Sequence, residues 1–321
     1  MKSTAPSTFV FVEAGEAFAA LEGRSLDRPT HPQKDEAMSH DTEQMNREAH
    51  VAPMEAWDAI AAGYDRYVAP GEAELAGAAL KLARLRSGDR FLDVAAGPGG
   101  LSLPAARLGA KVVATDWSPK MIERFVARVR DERVSDAEGK VMDCHALDFA
   151  ANTFDVTGSL FGVMLVPDQA KALREMVRVT KPGGRVVIVA YGSPSKFEGL
   201  HVFLGALKSV NPGFEGLPEN PPPLEFQVAD PGVLRERLVA AGLSEVVVDT
   251  THEESIAIRS GRELWDWCLG SNPIPGMLVS ELSEAQRRAL LARLDESIRG
   301  RANASGVAVL TAPLNIGVGT K

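Results

Sequence analysis

The sequence predicts an α/β protein with a doubly wound, mostly parallel sheet, and two observations carry that expectation. From about residue 90 to 190, short β-rich apolar bursts alternate with longer helical stretches, and the first burst runs straight into a glycine-rich turn. Right-handed crossovers between parallel strands would then place helices on both faces of the sheet. A chain of 321 residues with 45% apolar content is large enough to bury such a core.

Residues 1–50 lack sustained periodicity, and the part after Gly23 is polar and rich in breakers, so it is expected to be a disordered tail. Its three histidines, His31, His40 and His50, share no ligand spacing, and Met38 offers an alternative start. Residues 51–321 are expected to form one domain: a helical lid over 51–86, a core over 87–192, and cap helices with closing strands over 193–321. Strands are expected at 90–95, 111–116, 140–145, 154–159 and 185–190. Ser118-Pro119 should open one helix, and Lys181-Pro182-Gly183-Gly184 should close another. Beyond Tyr191 come a helix around 196–209, a proline-rich loop, a helix capped by Asp230, a strand from 245 running towards 258, and two further helices. The second of those helices opens with a Ser283/Gln286 capping box, and a closing strand ends the chain.

The charge balance, 43 acidic against 35 basic residues for a net −8, supplies no basic field for phosphate backbones or anionic lipid. Neither nucleic acid nor a membrane is an expected partner, since no run reaches the ~18 to 20 apolar residues of a membrane helix. Two cysteines, Cys144 and Cys268, lie far apart without a Cys/His cluster, so no metal is expected. No long apolar core follows basic residues at the start, and the cytosol is the expected location.

The strongest signal is FLDVAAGPGG at Phe91–Gly100, an apolar strand ending in an acid, then a small-residue turn and a helix start. Such a turn lets a ligand approach the backbone, and a helix start offers free N–H groups to an anion. Seventeen residues beyond Gly99, the next strand ends in Asp116, a spacing suited to a carboxylate gripping ribose hydroxyls. Dinucleotide folds share that geometry. Here, however, Asp93 would repel a pyrophosphate, and Ala95, Gly97 and Gly100 do not reproduce G-x-G-x-x-G.

The ordered set WDAIAAGYDRY, LDVAAGPGG, VVATDWSPKMI, MDCHALDFAANTFD, SLFGVMLVPD and LREMVRVTKPGGRVVIV, spanning roughly 54–192, resembles class I S-adenosylmethionine-dependent methyltransferases. Within them it is most similar to the methyltransferase type 11 branch that includes the quinone-biosynthesis C-methyltransferases. The resemblance implies a Rossmann-like, seven-stranded sheet with an antiparallel last strand, added helices forming a substrate cap, and S-adenosyl-L-methionine as cofactor. It also implies that Asp93, Ala95, Gly97 and Gly99 cradle the methionine end, that Asp116 holds the ribose, and that Trp117 and Met121 flank the adenine. Asp143 would accept from the adenine amine beside Cys144, Ser159 and Leu160 would floor the methyl donor with Phe161, and Tyr64 would belong to a lid. The family usually has glycine where Ala95 stands, and a methyl group there is tolerable if the local φ is negative.

Acceptor contacts are expected from Phe161, Tyr191, His201, Phe226 and Trp265, with His201 and then Tyr64 as the candidate catalytic groups. The implied reaction is in-line methyl transfer to a small, partly hydrophobic or aromatic metabolite. The alternatives are a nicotinamide-dependent oxidoreductase, which lacks a Tyr-x-x-x-Lys pair here, and a non-catalytic binding protein that keeps the fold.

Overall fold

A computed structural model of the protein describes residues 52–321; the expected tail over residues 1–50 lies outside the described residues. Helices α1 (Met54–Tyr67) and α2 (Ala69–Leu82) lead into β1 (Arg90–Val94), α3 (Ser102–Arg107), β2 (Lys111–Asp116), α4 (Pro119–Asp131) and β3 (Ala137–Val141). There follow β4 (Phe154–Leu160), α5 (Gln169–Val179), β5 (Thr180–Tyr191), α6 (Glu198–Val210) and α7 (Pro231–Ala240). The chain ends with β6 (Ser244–Asp249), β7 (Glu253–Ile258), α8 (Gly261–Ser271), α9 (Pro273–Val279), α10 (Glu284–Arg301) and β8 (Ala308–Thr320).

The strands run β3-β2-β1-β4-β5-β8-β6, with β1 to β5 parallel and β8 antiparallel to both its neighbours. This is the doubly wound, mostly parallel sheet that the alternation of bursts predicts. Its order reverses between β1 and β4, which opens a crevice at the carboxyl ends of these strands, where ligands of such sheets bind. An eighth strand joins off this path: β7 pairs with Ala308–Pro313, the first half of β8, while β6 pairs with the second half. The strand expected at 245–250 is β6, and the run on towards 258 is a separate strand, β7, laid end to end with it on one long partner.

Two local expectations are corrected. The strand expected at 140–145 is Ala137–Val141, because β3 is a partly exposed edge strand that pairs with β2 and needs little apolar content. Its apolar tail instead enters a turn in which Asp143 Oδ1 accepts from the His145 N–H at 2.9 Å. Lys181–Gly184 does not close a helix in a coil; α5 ends at Val179, and these residues start β5 at a register irregularity, with Gly183 at φ +76. The caps read as expected: Ser118 accepts from the Met121 N–H, Asp230 from Gly232 and Val233, and Ser283 with Gln286 closes a reciprocal box.

Phe91, Leu92, Val94, Phe154 and Val186–Ala190 fill the sheet's core. The cap has its own core of Val202, Phe203, Leu264, Leu290, Leu294 and Ile298. Helix α1 is clamped from two sides. A Cβ on Gly63 would sit 3.1 Å from Gly270 Cα, so α1 and α8 meet backbone to backbone. On the other side, Asp58 accepts from Ser118 Oγ at 2.5 Å and from the Lys120 N–H at 3.1 Å, at the start of α4.

The tightest approach within the cap is at Gly261, where a Cβ would fall 2.2 Å from the Asp295 backbone nitrogen on α10. Helix backbone cannot yield as a side-chain tip can. Gly261→Ala is expected to destabilise the protein by about 3 kcal/mol, the upper range of overpacking, as read by thermal or urea unfolding.

Candidate functional site

The crevice above β1, β2 and β4 holds a cleft whose floor is set by one carboxylate. Asp116, at the end of β2, accepts from the Gly97 N–H and the Ser118 N–H, each at 2.9 Å. The turn after β1 and the entry to α4 are therefore held by the same side chain. Around it the cleft is lined by Ala95, Gly97, Trp117, Met121, Asp143, Cys144, Leu160 and Phe161, with Tyr64 and Glu72 from the first two helices. Of the residues expected at the cofactor, these structural neighbours come together.

Asp93, Gly99 and Ser159 do not line the cleft; they lie behind its wall. Asp93 is fully buried and accepts from Ser102 Oγ at 2.6 Å, while its Oδ1 has no partner. Gly99 faces α4, where a Cβ would strike the Phe125 ring at 2.5 Å. Ser159 Oγ accepts from the Val163 N–H at 3.0 Å and so shapes the turn that presents Leu160 and Phe161. Ala95 is not at a negative φ but at φ +52, so its methyl is strained, in a conformation that glycine adopts freely. Phe161 is strained in the same sense, at φ +62.

The sequence reading missed Glu72. Buried in the first turn of α2, it accepts the Tyr64 hydroxyl at 2.7 Å, and a Cβ at Gly100 would collide with its Oε2, so that glycine is what admits the carboxyl. Burial pushes Glu72 up to about 8, against the opposing hydrogen bond from Tyr64. Burial likewise raises Asp93 to about 7 and Asp116 to about 6, the latter partly offset by the Ser118 amide. Tyr64 is pushed upward by burial and then by Glu72, so its phenol donates and does not take up a proton. No lysine or arginine lines this cleft. The helix start that should favour an anion belongs to a helix of only six residues, and the Gly97 N–H is already taken by Asp116. Carboxyl groups therefore set the local field, and they suit a cationic ligand, not a pyrophosphate. Cys144 has its thiol pushed up to about 12 by burial and is no nucleophile.

A second cavity of about 820 Å³, its mouth included, adjoins the first and shares with it Tyr64, Phe161 and Leu165. Tyr191, Phe197, Phe203, Glu225, Phe226 and Trp267 line it. Phe161 stacks on Tyr191 at 4.6 Å between ring centres, and Tyr191 meets Phe197 at 4.8 Å. The Tyr191 hydroxyl donates to buried Glu254 at 3.0 Å, and burial raises that carboxyl to about 7.

Two acceptor-site expectations fail. His201 is exposed and lines neither cavity: α6 buries Gly199, Val202, Phe203, Ala206 and Leu207, and position 201 lies on the opposite face. Trp265 packs beside Phe203 in the cap core, and Trp267 takes the cavity wall instead. Both tryptophans are buried because α8 is covered on one side by α1 and on another by α10.

A doubly wound sheet with an acidic cleft at the ends of β1 and β2 has the architecture of a protein that binds a nucleoside-type ligand at the point where the strand order reverses. Residues 92–188 match the family described as "Methyltransferase domain". An uncharacterized protein of Mycobacterium tuberculosis is 41% identical over 104 residues, 32% of this chain and 38% of that one. A demethylmenaquinone methyltransferase of Renibacterium salmoninarum is 44% identical over 108 residues, 34% of this chain and 44% of that one. The matches thus span less than half the length of these relatives. Among solved structures, a Bacillus halodurans protein assigned to the methyltransferases shares the fold at 17% identity and a TM-score of 0.50, over 77% of this chain and 98% of that one.

Two outcomes test this description. Ala95→Gly is expected to stabilise the protein by about 1 kcal/mol, the left-handed strain of an L residue less the added chain entropy, as read by urea unfolding. The second concerns pH. Glu72, Asp93, Asp116, Glu225 and Glu254 all bind protons more tightly folded than unfolded. Their contribution is therefore present below the unfolded carboxyl range and is lost as pH rises through about 6 to 8. The melting temperature of the ligand-free protein should fall between pH 5 and pH 8. Glu254→Gln should raise it by about 3 °C at pH 8 and much less at pH 5.

Proposed function

We propose that this chain transfers a methyl group from S-adenosyl-L-methionine to a small, partly hydrophobic or aromatic acceptor by in-line displacement. The observation that carries the reading is the junction of the two cavities at Tyr64, Phe161 and Leu165, which joins an acidic cleft to an aromatic one. When bound, the cofactor supplies a methyl group on a positively charged sulfur. The residues fit it: Asp116 is placed for ribose hydroxyls, Met121 and Trp117 offer apolar surface for the base, and Glu72 and Asp93 favour a cation nearby.

The chain's own work is alignment and exclusion of water. Phe161, Tyr191 and Phe197 wall the junction with stacked rings, and Tyr64, oriented by Glu72, presents a protonated phenol between the cavities. A dedicated base is not required for a donor already activated by charge. The aromatic lining accords with the relatives named as demethylmenaquinone methyltransferases. Two free, buried cysteines accord with a cytosolic location.

Calorimetry on the purified chain tests the cofactor half. S-adenosylmethionine and S-adenosylhomocysteine should bind and NAD should not, and Asp116→Ala should weaken S-adenosylhomocysteine by about 1–3 kcal/mol. Binding of NAD without S-adenosylhomocysteine would sink the proposal. Label transfer from the methyl-labelled donor into a cell extract, followed by mass spectrometry, should reveal a labelled small molecule.

A further inference from the structure

The second cavity is lined mainly by aliphatic and aromatic side chains, and two buried polar groups on residues of its wall have nothing to bond. Glu225 Oε2 and Trp267 Nε1 are buried without a hydrogen-bond partner, and both residues line this cavity. Their side chains come from unrelated elements, a short turn after the proline-rich loop and α8. A buried polar atom left unpaired costs about 1–3 kcal/mol, so two around one cavity mark places where a ligand completes the bonding. Their chemistries are complementary: an indole N–H only donates, and an ionised carboxylate only accepts.

The Glu225 turn is held in place, as a recognition element must be. Buried Gln169 donates from Nε2 to the Met164 carbonyl at 2.6 Å and to the Leu224 carbonyl at 3.0 Å, immediately before Glu225. Buried Asn315, on β8, donates to the carbonyls of Val228 and Ala229 at 3.2 and 2.9 Å, just after it. The turn is thus anchored on both sides by side chains that have no role in the cofactor cleft.

We propose that Glu225 and Trp267 select the acceptor: an apolar or aromatic molecule carrying one hydroxyl, which donates to Glu225, and one carbonyl-type oxygen, which accepts from the Trp267 indole. This rests on the reading of the second cavity as the acceptor site. A hydrocarbon of the same shape would leave both groups unpaired, and a site built around hydrogen bonds rejects such analogues more strongly than one built on shape alone. Burial raises Glu225 to about 6, so at pH 8 it is ionised and accepts.

The test uses the full chain saturated with S-adenosylhomocysteine at pH 8, titrated with three classes of probe: 3′- and 4′-hydroxyacetophenone, acetophenone, and the matching 3- and 4-ethylphenols. At least one hydroxyacetophenone isomer should bind about tenfold more tightly than acetophenone and than its ethylphenol. Glu225→Leu, which leaves no acceptor, should abolish most of the hydroxyl preference and keep the carbonyl preference, and Trp267→Phe should do the reverse. Retained binding of S-adenosylhomocysteine reports that each variant is folded. Equal binding of all the probes to the wild-type chain, or a hydroxyl preference that survives Glu225→Leu, overturns the selection proposal while leaving the methyltransferase reading standing. Failure of the wild-type chain to bind S-adenosylhomocysteine overturns both.

Discussion

The grip of the Asp116 carboxylate on two backbone amides is the interaction on which the cleft depends. One oxygen takes the Gly97 N–H and the other takes the Ser118 N–H, so a single group at the end of β2 sets the turn after β1 and the first residue of the next helix. Ser118 passes the constraint on. Its hydroxyl accepts from the Met121 N–H and donates to Asp58 on α1, which brings the first helix, and with it Tyr64, over the cleft. Three segments far apart in the chain are thereby referred to one side chain, and Gly97 is at φ +53 because the turn must direct its amide at that oxygen.

Around this frame the protein buries more carboxyl groups than its own cations neutralise. Glu72, Asp93, Asp116, Glu225 and Glu254 are all nearly inaccessible and all shifted upward by burial. Each of the five costs desolvation, which the Gly97 and Ser118 amides offset at Asp116 and the Ser102 hydroxyl offsets at Asp93. Three of them surround the first cleft, where a positively charged ligand lowers the energy of the ionised forms. Of the other two, Glu225 lines the aromatic cavity with one oxygen unpaired, and Glu254 lies behind its wall, accepting the hydroxyl of Tyr191. The electrostatic strain is thus distributed over the two cavities and is absent from the rest of the sheet core, which is apolar.

What could be read from the sequence follows the strength of local signals. The strands β1, β2 and β4 are short apolar runs, and the helix caps are set by one or two residues acting on their immediate neighbours, so both were legible. Glu72 was not, since an acid in the first turn of a helix is ordinary and only the approach of Gly100 from another element makes it part of the site. Glu225 sits in a proline-rich loop with no periodicity, and its place depends on Gln169 and Asn315, 56 and 90 residues away along the sequence. His201 was misread although its helix held the answer: burial at 199, 202, 203, 206 and 207 leaves position 201 on the outer face. Trp265 and Trp267 could not be told apart because α8 has no solvent-facing stripe wide enough to mark a side.

Helix α1 ties these levels together. Gly63 lets it meet α8 at backbone contact, and the next residue, Tyr64, lines both cavities. Any side chain larger than hydrogen at Gly63 or Gly270 would push the two helices apart and carry the Tyr64 hydroxyl away from Glu72. A lid that closed by swinging α1 outward would have to break this contact together with the Asp58 bonds to α4.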